Sequence, residues 1–220
     1  MDFEVDGVDY TPTALLSVYH KEGIVEFAKS LVEQGWRLLS STGTCRELRA
    51  AGLEVADVGD LVGEPILGHR VVTLSREVFA GILATHTADD QEEMARLGLN
   101  YIDLVCVDLY PLGDLRSKHD RTLDEVREIT DIGGPTLLRA AAKGGRIVIS
   151  KPEQRQTVLD WMRAGYPNED EFLMDLAIEA ELLVSNYCDI SAMLLASVKP
   201  GGDDSTEEPE VQLFDPDEVG

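Results

Sequence analysis

The run Asp103-Leu104-Val105-Cys106-Val107-Asp108-Leu109, which stops at Tyr110-Pro111, constrains this chain most. Its apolar residues do not alternate with polar ones, the pattern of a strand buried on both faces. Such a strand needs helices above and below its sheet, and the flanking sequence supplies them. Apolar runs at 14–18, 37–40, 55–58 and 147–149 read as further short strands. Between them lies a helical period carrying Ile24, Val25, Phe27, Ala28 and Leu31, stopped by Gln34-Gly35. Others lead from Thr44 to Leu48, Ala51 and Leu53, and run over 89–97, 123–129 and 137–142. Two final helices are expected over 153–164 and 169–185. Short apolar strands alternating with helices predict an α/β fold with a doubly wound, mainly parallel sheet and C-terminal helices. In such sheets ligands sit beyond the carboxyl ends of the strands.

Within that frame, Arg37-Leu38-Leu39-Ser40-Ser41-Thr42-Gly43-Thr44 reads as strand, tight turn and helix start. Ser41, Thr42 and Thr44 bring hydroxyls, Gly43 leaves room, and the helix start adds unpaired N–H groups and partial positive charge. The turn suits a phosphate; the alternative is an ordinary Ser/Thr N-cap after a buried strand. Lys21, Tyr110 and Asp131-Ile132-Gly133-Gly134 also follow strands or open helices, so all are expected to converge on one crevice. The Gly-rich stretch 59–81, with His69-Arg70 inside it, reads as a functional loop.

The 220 residues suit one α/β domain with a helical extension. The expected organisation is a flexible acidic N-terminus (1–12), a domain over 13–199 and a disordered acidic tail (200–220). A net charge of −23 excludes nucleic acid as a partner, since phosphates would be repelled. Among 19 basic residues, lysine stands only at 21, 29, 118, 143, 151 and 199. High Asp/Glu with scarce Lys predicts a halophilic protein that stays soluble in concentrated salt. Cys45, Cys106 and Cys188 form no CxxC pair, which points to free thiols in a reducing cytoplasm and to neither a disulfide framework nor a metal site. No apolar run follows basic residues near Met1, and none is long enough to cross a bilayer, so neither a leader nor a membrane is expected.

Six motifs occur in one order: Ser17-Val18-x-x-Lys21-x-Gly23-Ile24-Val25-Glu26-Phe27-Ala28; Ser41-x-Gly43-Thr44; Gly68-x-Arg70-Val71-x-Thr73-Leu74; Asp108-Leu109-Tyr110-Pro111; Asp131-Ile132-Gly133-Gly134-Pro135-Thr136; and Arg139-Ala140-Ala141-Ala142-Lys143. Together, over about residues 14–195, they resemble the IMP cyclohydrolase domain of the bifunctional purine-biosynthesis enzymes, which has a methylglyoxal-synthase-like fold. The resemblance implies dehydrative ring closure of 5-formamidoimidazole-4-carboxamide ribotide to IMP, with no metal or organic cofactor. It implies a phosphate cradle of Tyr19, Lys21, Ser41, Thr42, Gly43 and Thr44, with Arg70 and Thr73 facing the ribotide. Tyr110, Asp131 and Lys143 match catalytic positions, and the backbone of Ile132-Gly133-Gly134 would bind near the carboxamide. It leaves a homodimer open. The formyltransferase domain of such enzymes has no counterpart in these residues, so a separate formyltransferase is expected to supply the substrate.

The match has departures. Where the family's loop reads Arg-Val-Lys-Thr-Leu-His-Pro, this chain has Val72 for the lysine and Ser75 for the histidine, and Phe79 replaces a later histidine. Tyr19 stands for a small hydroxyl, Thr42 for a glycine and Asp108 for an asparagine. The lost lysine keeps a second function open, a non-catalytic module that binds purine ribotides. Methylglyoxal synthase is a third, which the Tyr110 and Asp131–Gly134 segments fit poorly. Each proposed catalytic residue also has a structural reading: Lys143 as a cation at a helix C-terminus, Asp131 as an N-cap, Tyr110 as a strand terminus.

Overall fold

The computed structural model describes residues 4–5, 8–63, 66–67 and 71–198. The expected acidic tail lies outside them, as do Gly68, His69 and Arg70. Residues divide into two compact units, Met1–Tyr110 with Asp131–Val184, and Pro111–Thr130 with Ser185–Gly220.

The larger unit holds a parallel five-stranded sheet. In chain order its first elements are β1 (Glu4–Val5), β2 (Val8–Asp9), β3 (Thr13–Ser17), α1 (Ile24–Glu33), β4 (Arg37–Ser40), α2 (Thr42–Ala50), β5 (Ala56–Asp57) and α3 (Val58–Val62). Then come α4 (Arg76–Leu83), α5 (Ala88–Leu97) and β6 (Leu104–Val107). The smaller unit contains α6 (Leu112–Arg116) and α7 (Leu123–Ile129). The larger resumes with α8 (Gly133–Lys143), β7 (Ile147–Ile149) and α9 (Gln154–Arg163); α10 (Glu169–Ser197) begins in it and runs into the other.

The strand order is β5-β4-β3-β6-β7. From β3 the chain winds outward through β4 to β5, then returns to the far side of β3 as β6 and goes on to β7. Right-handed crossovers place α1 and α2 on one face, and α4 and α8 on the other. The order reverses between β3 and β6, which makes that junction the topological switch point. β6 is buried at all four positions, as its unalternating sequence requires. Leu15, Leu16, Ile24, Phe27, Leu31, Leu48, Leu104, Leu137 and Ile147 fill the core, each worth about 1.5–3 kcal/mol of transfer free energy.

Several expectations change. Near the N-terminus β1 and β2 pair antiparallel, and the Tyr10 hydroxyl donates to Asp103 at 2.5 Å. The strand expected over 55–58 stops at Asp57, whose carboxylate accepts from Gly59 N at 2.9 Å and starts α3 through a capping box with Asp60. The irregular stretch 59–81 contains α4, begun by Ser75, whose Oγ accepts from Val78 N at 3.1 Å. α8 starts at Gly133, four residues earlier than expected. Among the described residues no helix is long and apolar enough to cross a membrane.

Candidate functional site at the switch point

The loops after β3 and β6 open side by side, because these two strands pair from Ala14↔Leu104 to Ser17↔Val107. The β3 loop carries Tyr19, His20 and Lys21 and enters α1 through Gly23, whose φ of +69° suits glycine. Asp108, directly after β6, is 8% exposed. Its carboxylate accepts from the backbone N–H of Tyr19 and, at 3.0 Å, of His20. Its Oδ2 also lies 3.1 Å from His20 Nδ1. One carboxylate thus joins the two loops across the switch point.

The third loop is the β4–α2 turn. Ser41 is the N-cap residue of α2, but its hydroxyl makes no cap bond and accepts instead from Ser17 Oγ at 3.0 Å. The first-turn N–H groups around Thr42, Gly43 and Thr44 have no partner within the helix. Thr44 is wholly buried and ties the turn to the β3 loop. Its Oγ1 accepts from Val18 N at 3.2 Å and from Lys21 Nζ at 3.1 Å, and donates to Val18 O at 3.3 Å. Lys21 Nζ also donates to Val18 O. Burial pulls the Lys21 ammonium below the usual lysine range, opposed by Asp108 and Glu47 and reinforced by Arg155. A phosphate would restore what burial costs that charge. Thr42 is turned away from this task, donating to Asp57 Oδ1 at 3.1 Å.

Beyond Asp108, the Tyr110 ring packs edge-on against Tyr19, centroids 5.2 Å apart. Both rings are half exposed. Burial raises the Tyr110 phenol, with Asp131 and Tyr19 adding to the effect. Asp131 precedes Ile132, the N-cap residue of α8, and its Oδ1 accepts from Gly134 N at 3.0 Å at the helix start. Burial raises its pKa against the bonds from Gly134 and Gly133. A Cβ on Gly134 would stand 2.3 Å from Asp131 Oδ2 and 2.7 Å from Leu109 Cδ2, so a side chain there would displace both. A Cβ on Gly133 would stand 2.8 Å from Thr73 Oγ1, which places Thr73 at the same helix start. Ile132 is exposed beside it.

Lys21, Ser41, Gly43, Thr44, Tyr19, Tyr110, Asp131, Ile132, Gly133, Gly134 and Thr73 therefore share the carboxyl edge of the sheet. Lys143 lies at the other end of α8, ten residues after Gly133, or about 15 Å along the helix. α8 runs back to the amino edge, where Arg146 faces Asp103 at 3.8 Å and Ile147 begins β7. Its position is the one that favours a cation at a helix C-terminus. Arg70 lies outside the described residues. Val72 and Phe79, at positions where the resembling family has a lysine and a histidine, pack against the core.

Two residues that the sequence pattern did not single out belong here. His20 is held by Asp108, and Arg155 of α9 is 6% exposed with its guanidinium donating to Glu22 O at 2.8 Å. Arg155 Nε has no protein partner, so buried positive charge stands beside the lysine loop. Both contacts are remote in sequence; the signal was a buried aspartate where an amide is usual.

A parallel sheet with this order reversal, an anion cradle on one side and an aspartate-capped helix on the other, defines the class: doubly wound α/β proteins with a ligand cleft at the switch point. Within that class the chain belongs to the MGS-like domain family, whose model matches residues 23–136. Its relatives include proteins of purine biosynthesis. A bifunctional purine biosynthesis protein PurH from Acidithiobacillus ferrooxidans is 38% identical over 198 residues, 88% of this chain and 38% of that protein. The PurH of Thermosynechococcus vestitus is 39% identical over 203 residues, 90% of this chain and 38% of that protein. A Cyanothece PurH is 48% identical over 148 residues, 65% and 29% of the two lengths. The chain thus spans 38% of the length of the first two. A solved structure described as the crystal structure of ForH aligns with a TM-score of 0.73 at 37% identity, covering 87% of this chain and 100% of that one.

Proposed function

We infer that this chain is an IMP cyclohydrolase, closing 5-formamidoimidazole-4-carboxamide ribotide to IMP with loss of water. The observation that carries the reading is the meeting, at one switch point, of the Lys21–Thr44 cradle with the Tyr110–Asp131–Gly133–Gly134 corner. The 5′-phosphate would sit on the first turn of α2 and the Lys21 ammonium. The heterocycle would then extend past Tyr19 toward Tyr110 and the start of α8. There the N–H groups of Ile132-Gly133-Gly134 meet the carboxamide, Thr73 faces the ribotide, and Asp131 orients the amide. The Tyr110 hydroxyl, kept protonated by burial, is a donor for the oxygen that gains charge as nitrogen attacks the formyl carbon. Holding amide and formyl group face to face supplies much of the remaining acceleration. Such chemistry draws on side chains and backbone alone. A homodimer would have the exposed row Met174, Ile178 and Leu182 of α10 to bury.

One observation favours a second reading, a purine-ribotide binding module without turnover: Val72, not lysine, occupies its loop position and packs, partly buried, against the core. Incubation with the formylated ribotide, followed by absorbance, separates the two. Accumulating IMP supports the enzyme. Tight IMP binding without turnover supports the module.

A further inference from the structure

We propose that His20 is the proton-transfer residue of this site, aimed by Asp108. The inference rests on the ring-closure reading and adds to it a residue and a role.

Two backbone N–H groups and one ring nitrogen converge on the Asp108 carboxylate: Tyr19 N on Oδ1, and His20 N at 3.0 Å and His20 Nδ1 at 3.1 Å on Oδ2. Both oxygens act as acceptors, which an aspartate can satisfy and an asparagine cannot, since the amide nitrogen would meet N–H groups. The carboxylate is almost fully buried, while the His20 side chain is 53% exposed. One ring nitrogen is thus held against a buried anion, while the ring as a whole is half exposed. A base oriented by a third group is the arrangement general acid–base catalysis uses. The pairing favours the tautomer with hydrogen on Nδ1 and the lone pair on Nε2, where it can take a proton.

The place is right as well. The imidazole packs edge-on against Tyr19 with centroids 5.0 Å apart, and Tyr19 in turn touches Tyr110. The charged and titratable groups around it are Asp108 after β6, Tyr19 and Lys21 on its own loop, Tyr110 beyond them and Arg155 below the loop. Lys21 is committed to Thr44 and Val18 O. Histidine is the side chain whose ordinary ionisation lies nearest neutrality.

The step balances as follows. The carboxamide nitrogen forms a bond to the formyl carbon while one of its hydrogens passes to Nε2. The imidazolium returns that proton to the former formyl oxygen, giving a hydroxyl on a tetrahedral carbon. The C–O bond then breaks, and the hydroxyl leaves as water with a second proton, which comes from the formamide nitrogen as the C=N bond forms. His20 ends in its starting state.

The test is turnover of the formylated ribotide by the full chain and its variants, as kcat, KM and pH profile. His20→Gln should lower kcat by about 100-fold or more, leave KM within about threefold and remove the acid limb of the kcat profile. Asp108→Asn should lower kcat by about tenfold and leave KM within about threefold. His20→Gly should regain activity with added imidazole. Circular dichroism and IMP affinity establish that each variant is folded. Wild-type turnover with His20→Gln unchanged in rate and pH limb overturns this inference alone. Absence of wild-type turnover overturns the reading of the site, and this inference with it.

Discussion

Replacing Thr44 by valine tests the cradle most sharply, because shape is nearly kept and only the hydroxyl is lost. Thr44 Oγ1 is wholly buried, accepts from Val18 N at 3.2 Å and from Lys21 Nζ at 3.1 Å, and donates to Val18 O at 3.3 Å. Thr44→Val deprives the buried Val18 N–H of that acceptor, at about 1–3 kcal/mol. The Lys21 ammonium keeps Val18 O but loses its second partner, for about 1 kcal/mol more. The sum, about 2–4 kcal/mol, corresponds to a melting temperature roughly 6–12 °C lower for a chain of this size. Thr44→Ser keeps the hydroxyl and loses one buried methyl, at about 1 kcal/mol. The assay is thermal unfolding by circular dichroism at fixed KCl, paired with titration of IMP. Thr44→Val should melt well below Thr44→Ser and bind IMP at least about tenfold more weakly, since Lys21 is no longer aimed. A Thr44→Val protein that melts within about 2 °C of wild type, with Thr44→Ser the worse of the two, would refute the reasoning.

Other outcomes follow from the same geometry. Burial lowers the Lys21 pKa and a bound phosphate dianion raises it again. IMP affinity should therefore be full below the depressed pKa and fall as pH rises through it, while Lys21→Met shows weak, pH-independent binding by calorimetry. Gly134→Ala drives a methyl into Asp131 Oδ2 and Leu109, so both turnover and melting temperature should fall; a folded variant with wild-type turnover would contradict the account of Asp131. Lys143→Ala should leave single-chain IMP binding within about twofold, because about 15 Å of helix separates Lys143 from Gly133. A net charge of −23 with few lysines should make the melting temperature rise steeply with KCl, and a salt-independent value would count against a halophilic character.

What the sequence disclosed was local periodicity, and what it hid was non-local contact. β6 was legible because a strand covered on both faces cannot alternate. α1 was legible from its apolar spacing and its Gln34-Gly35 stop. α3 and α4 were not, although Asp57-x-x-Asp60 and Ser75-x-x-Val78 carried their start signals, because the glycines around them suggested loop. Gly133-Gly134-Pro135 read as a turn, yet a first helical turn has no use for intrahelical N–H donors and accepts Pro readily. The resemblance matched Lys143 to a catalytic position; counting helical rise from Gly133 puts it about 15 Å along α8 from that helix start. The His20–Asp108 pair joins loops that are far apart in sequence and neighbours only because β3 and β6 pair at the switch point.

The account stands on a cleft that grips a 5′-monophosphate at the start of α2, so the most direct measurement is calorimetric titration of the chain with IMP and, separately, with inosine. The account predicts that IMP binds and that inosine, lacking the phosphate, binds at least about 100-fold more weakly. Equal affinity for the two would contradict it.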